Sequence, residues 1–78
     1  MTVIQMPEPH RDLASEVEVL PGLLTIVQLI PLLGISRTSL YDMVTRKRIP
    51  YLRIEGMIRF DPRAIAAWLR QHTIVAAA

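Results

Sequence analysis

The spacing of apolar positions changes along the chain, and each change marks an element. In LLTIVQLIPLLG, Leu23 to Gly34, the residues Ile26, Leu29, Ile30 and Leu33 recur at the interval of one helix face. Thr25 predicts the N-cap, and Gln28 three residues on completes a capping box. Leu24 and Leu29 fall at the staple positions beside it. Gly34 predicts the C-terminal stop. Pro31 removes one backbone donor and predicts a kink, on the side away from the apolar face.

The stretch GISRTSLYDMVTRKRIP, Gly34 to Pro50, repeats the helical interval. Ser36 is the predicted N-cap, and the helix runs to about Arg46 or Lys47. Leu40, Met43 and Val44 share one face. Thr38, Asp42 and Thr45 lie opposite, with Tyr41 and Arg46 on the flanks. The link Gly34-Ile35-Ser36 is long enough only for a tight turn, so the two helices form a helix-turn-helix.

From Tyr51 to Phe60 the interval drops to two, which predicts a hairpin turning at Glu55-Gly56. A three-residue loop, Glu55 to Met57, pairs Ile54 with Ile58, Leu52 with Phe60 and Arg53 with Arg59. That register leaves one face wholly apolar and is the one expected. It also sets Arg53 opposite Arg59, a like-charge pair that a bound phosphate would relieve.

The helical interval returns in DPRAIAAWLRQH. Asp61 caps it, Pro62 takes its first position, and Ile65, Trp68 and Leu69 form the buried stripe. Trp68 reads as core packing. Residues 1–22 carry Pro7, Pro9, Pro21 and Gly22 and hold no sustained interval, although DLASEVEVL can form a short helix. The expected organisation is an acidic arm over 1–22, extended or partly helical, a compact unit over 23–72, and an apolar tail over 73–78. The fold class is mainly α with a small β-hairpin: a winged helix-turn-helix.

Charge sharpens the division. Residues 1–20 set Arg11 against Glu8, Asp12, Glu16 and Glu18, a net −3. Residues 21–78 set eight cations against Asp42, Glu55 and Asp61, a net +5. A basic body suggests a polyanion partner. The chain of 78 residues has no cysteine, which excludes a disulfide scaffold and a thiolate zinc site. No run is apolar enough to span a membrane and no secretory signal is visible, so a cytoplasmic protein is expected. His10, His72, Ser15, Ser36, Ser39 and the scattered acids form no nucleophile–base pair and no metal spacing. No catalysis, metal or cofactor is expected.

The residues from LLTIVQL through AIAAWL, 23–69, resemble the excisionase-type winged helix-turn-helix family, relatives of the MerR DNA-binding domain. The likeness lies in the order of the LLT start, the GIS turn followed by LY, the IP exit, the RI and RF of the wing, and the closing AWL. It implies a small DNA-binding protein of phage or mobile-element type, an excisionase or a transcriptional regulator. The second helix is then expected in the major groove and the wing on the backbone or minor groove. Carried onto this chain, the DNA-binding set is Ser36, Arg37, Thr38, Tyr41, Thr45, Arg46, Lys47, Arg48, Arg53 and Arg59. Many relatives have a basic residue where Asp42 stands and a more basic wing tip than EGMI. Asp42 either pairs with Arg46 or accepts from a cytosine amino group.

The residue types suit that role. A groove-entering helix needs small hydrogen-bonding groups such as Thr38 and Thr45 on its outer face. Cations at its end suit phosphates, and they also suit the helix dipole. The partners expected are duplex DNA, further copies arranged head to tail on it, and a site-specific recombinase. No small-molecule effector is expected, because no residues remain for a sensor after Leu69. A protein-binding adaptor or inhibitor, using the acidic arm, Val3, Ile4 and the apolar tail, is the reading from another class.

Overall fold

The computed structural model describes residues 12–74. Its elements are α1 (Leu13–Glu18), α2 (Ile26–Leu33), α3 (Arg37–Thr45), β1 (Leu52–Ile54), β2 (Met57–Arg59) and α4 (Pro62–Gln71). The helix-turn-helix, two-stranded wing and closing helix stand in the expected order.

Local chemistry accounts for the helix ends. At α2 the Thr25 hydroxyl accepts from the Gln28 N–H at 3.2 Å, and the Gln28 side chain accepts from the Thr25 N–H at 2.9 Å. This is the reciprocal capping box that the sequence predicts. Gly34 ends the helix in the left-handed region at φ 67, where a side chain would be strained. The helix continues through Pro31, which is exposed. At α3, Ser36 Oγ accepts from the Ser39 N–H at 3.1 Å.

Leu29 of α2, Leu40 of α3, Ile65 of α4, Phe60 after the wing and Val17 of α1 have no exposed surface. Burying each contributes roughly 1.5–3 kcal/mol against leaving it in water. Phe60 is also fixed by its backbone. Its N–H and C=O exchange hydrogen bonds with Leu24, both at 2.8 Å, so the entry to α2 makes a third rung beside the wing.

Two expectations change. The acidic segment is no separate arm from Asp12 onward. Asp12 caps α1, which packs on α4 and places Val17 in the core. A valine and an alanine three residues apart on a six-residue helix are enough to dock it. Residues 1–11, with Val3, Ile4 and His10, and residues 75–78 lie outside the described residues.

The hairpin register also differs. The pairs are Leu52 with Arg59, Arg53 with Ile58 and Ile54 with Met57, around a two-residue turn. Glu55 (φ 52) and Gly56 (φ 80) both have positive φ, as a tight hairpin turn of primed type needs. Its twist matches that of the strands, whereas the longer loop satisfied only the apolar pattern. Alternation then puts Tyr51, Arg53, Ile58 and Phe60 on one face and Leu52, Ile54, Met57 and Arg59 on the other. Tyr51, Ile58 and Phe60 belong to the core, while Leu52, Ile54 and Met57 are exposed. The wing reaches beyond the core, so its outer face was free to stay uncovered. Arg53 and Arg59 therefore lie on opposite faces, and no phosphate can sit between them as a facing pair.

Candidate nucleic-acid interface

The outward face of α3 carries Arg37, Thr38, Tyr41, Asp42 and Thr45, all exposed, while Leu40 and Val44 anchor the other face. Thr38, Tyr41 and Thr45 succeed one another at intervals of three and four, so they form one row along the helix. Ser36 is exposed, but its hydroxyl is engaged at the cap and with Ser39 Oγ at 3.0 Å. It starts α3 and stays exposed at its N-terminus.

Asp42 pairs with Arg46: the Arg46 Nε–H donates to Asp42 Oδ1 at 3.0 Å. The bond fixes the guanidinium along the helix and leaves its two terminal nitrogens outside that contact. The same pairing partly offsets the one acid on the α3 face.

The three cations at the end of α3 follow a definite backbone path. Arg46 is the C-cap, and Lys47 takes the left-handed conformation at φ 56. The Lys47 N–H donates to the Val44 carbonyl at 3.0 Å, and the Arg48 N–H reaches back to the Met43 carbonyl at 2.8 Å. This is the Schellman closure of a helix, in which glycine is the usual left-handed residue. Here a lysine holds the position. The chain then turns inward at Ile49, which is buried.

On the wing, Arg53 is exposed and Arg59 is partly covered. Arg59 lies along its own strand, its Nη1–H donating to the Ile58 carbonyl at 2.8 Å and Nη2 reaching Met57 Sδ at 3.6 Å. Arg37, Tyr41, Met57 and Arg59, with Thr25 and Val27, line an open groove between α3 and the wing. Of the ten residues expected to meet DNA, Arg37, Tyr41 and Arg59 are thus gathered on this groove. Thr38 and Thr45 lie along α3, Arg46 to Arg48 lie at its end, and Arg53 lies on the other face of the wing.

Sequence reasoning missed one residue of this region. Trp68 is only partly buried, and its indole N–H donates to the Arg48 carbonyl at 2.8 Å. A packed tryptophan needs an acceptor for that N–H, which was the available signal, but nothing in the spacing named Arg48 as the partner.

Among the described residues no helix is long and apolar enough to cross a membrane. Nor does any group of three or more His, Asp or Glu side chains gather there as a metal site would need.

Comparison with known proteins agrees with this architecture. No curated protein and no solved structure is significantly similar to the chain. A family described as a helix-turn-helix domain matches residues 23–73. That span holds α2, α3, the wing and α4, so the chain belongs to the helix-turn-helix domain family and is a small DNA-binding protein.

Proposed function

We propose that this protein acts as an excisionase, a directionality factor for site-specific recombination, by binding duplex DNA cooperatively and bending it. The reading places the chain among the excisionase-type winged helix-turn-helix proteins related to MerR DNA-binding domains. It works in the cytoplasm, without cofactor or small-molecule effector. The observation that carries it is the size of the reading surface beside the strength of the cationic one. α3 has nine residues, and its outer row offers Thr38, Tyr41 and Thr45, while Arg37, Arg46, Lys47, Arg48, Arg53 and Arg59 surround it.

Such a surface grips phosphates well and reads few base pairs, too few for a unique address among competing sites. Useful occupancy then requires several protomers on adjacent sites. Head-to-tail contacts continue along DNA without closing. Protomers in successive grooves bend the duplex, which a recombination complex requires and a recombinase partner would use. The acidic contribution to such contacts is smaller than the net −3 of residues 1–20, because Glu18 is taken up by Arg70. Glu16 stays exposed on α1, and Val19 and Leu23 add exposed but uncharged surface.

The test is a binding titration on DNA with one and with three candidate sites, joined to a circular-permutation mobility assay. Cooperative filling with a bend supports the proposal. Independent binding to straight DNA rejects it and leaves a transcriptional regulator of phage or mobile-element genes. No retention on DNA at low salt leaves a protein-binding adaptor.

A further inference from the structure

The turn Arg46-Lys47-Arg48 is held from two sides. From α3, the Met43 carbonyl accepts the Arg48 N–H at 2.8 Å. From α4, the Trp68 indole N–H donates to the Arg48 carbonyl, also at 2.8 Å and across 20 positions of sequence. Both backbone groups of one cationic residue are thereby fixed, one to each helix. Lys47, just before it, accepts a left-handed conformation that costs a side-chain-bearing residue roughly 1–2 kcal/mol. Such a conformation persists only where the surroundings over-determine it. The bond from Trp68 is part of that surrounding.

The indole is itself oriented. The His72 ring lies 4.5 Å from it, centroid to centroid, tilted by 45°. His72 Nδ1 sits 2.8 Å from the Trp68 carbonyl, a contact that requires Nδ1 to carry the hydrogen. Core packing alone does not call for this arrangement. Ile65 and Ala66 have no exposed surface, whereas Trp68, packed at the edge of the core, stays partly exposed and turns its polar edge to the cationic turn.

We propose that Trp68 is a positioning residue for DNA binding: through the Arg48 carbonyl it holds Arg46, Lys47 and Arg48 in the one arrangement that meets adjacent phosphates. The inference rests on the DNA reading and adds a residue that touches no DNA itself. Loss of the indole N–H removes the hold from α4 and leaves only the closure onto α3, so the three cations are less ordered before each binding event.

The experiment uses the full chain. Trp68→Phe removes the donor and keeps an aromatic ring. A second protein, made by chemical synthesis with benzothienylalanine at this position, keeps the bicyclic shape and exchanges only the N–H for sulfur. Ile65→Val serves as a control that loosens α4 without touching Arg48. Affinity for a mixed-sequence duplex is measured over a range of salt, beside thermal melting. Both Trp68 replacements are expected to weaken binding about tenfold and to lower the log–log salt slope by about one. Ile65→Val is expected to lower the melting temperature and leave the slope unchanged. Wild-type slope and affinity in the benzothienylalanine protein overturn the proposal, as does an equal loss in Ile65→Val. If the unmodified protein binds no duplex even at low salt, the DNA reading fails first and this inference with it.

Discussion

Arg70 of α4 grips Glu18 of α1 with both arms of its guanidinium: Nη2 donates to Oε1 at 2.9 Å and Nη1 to Oε2 at 3.3 Å. That bond, and then the attraction of the same charge, holds the Glu18 carboxyl below its ordinary range. A lowered carboxylate contributes stability above its unfolded pKa, and the contribution disappears as pH falls through the folded value. Both side chains are almost half exposed, so solvent screens the pair and the effect is modest. The melting temperature is expected to decline as pH drops below about 4.5. Glu18→Gln should flatten part of that decline and leave DNA affinity at neutral pH unchanged. An identical acid limb in the variant would show that the pair does not tie α1 to α4.

Much of this fold was legible because its signals are local. Thr25 with Gln28, Gly34, Ser36, and Asp61 with Pro62 each set a helix end through contacts within four residues, and each acts as its chemistry predicts. The hairpin register was not legible. It is decided by backbone twist at Glu55-Gly56 and by the Leu24–Phe60 rung, neither of which leaves a trace in apolar alternation. The docking of α1 and the bond from Trp68 to Arg48 were hidden for a related reason. Each joins positions far apart in sequence, where spacing says nothing about which partner is met. The types of residue on α3 and the wing could be read, but the grouping of Arg59 with Arg37 and Tyr41 could not, because it depends on the register.

Glu55 occupies a left-handed position in the wing turn, where asparagine is a better occupant. Glu55→Asn should therefore stabilise the hairpin and also remove an acid from the wing tip. Stability and DNA affinity are expected to rise together, affinity by a fewfold. A chemical-denaturation curve and a salt titration check it. A rise in stability with unchanged affinity at low salt would place the tip away from the duplex.

Lys47 gives the opposite balance. Lys47→Gly relieves the left-handed strain at the end of α3, less the extra freedom glycine has in the unfolded chain. The net gain expected is up to about 1 kcal/mol. The same change removes a cation, so the salt slope should fall by about one and affinity with it. A stabilised protein with undiminished binding would show that Lys47 contacts no phosphate.

Asp42 distinguishes pairing from base reading. The bond to Arg46 is an exposed contact four residues along a helix, worth about 0.3–0.5 kcal/mol. Asp42→Asn should lower stability by no more than that and strengthen binding to every sequence alike, since an acid leaves the α3 face proposed to meet DNA. A selective loss on sites with cytosine at one position would instead assign Asp42 to a cytosine amino group.

Arg53 and Arg59 supply the sharpest consequence of the observed register. They occupy opposite faces of the wing, and Arg59 is held along its own strand by Ile58 and Met57. On the proposed DNA reading, separate faces mean separate phosphates. With about four to six cations on the backbone, the wild-type slope of log affinity against log salt should be roughly −4 to −5 per protomer. Arg53→Ala and Arg59→Ala should each reduce its magnitude by about one, without altering base preference. In the double variant the two losses should add, because sites that share no partner behave independently. Two arginines straddling a single phosphate would behave otherwise, since removing one changes what the other is worth by roughly 0.5–3 kcal/mol. A double-mutant cycle on one duplex at one salt concentration measures that difference. A coupling of that size would mean that the wing rearranges on DNA to bring the two guanidinium groups together, and that the free register does not describe the bound one.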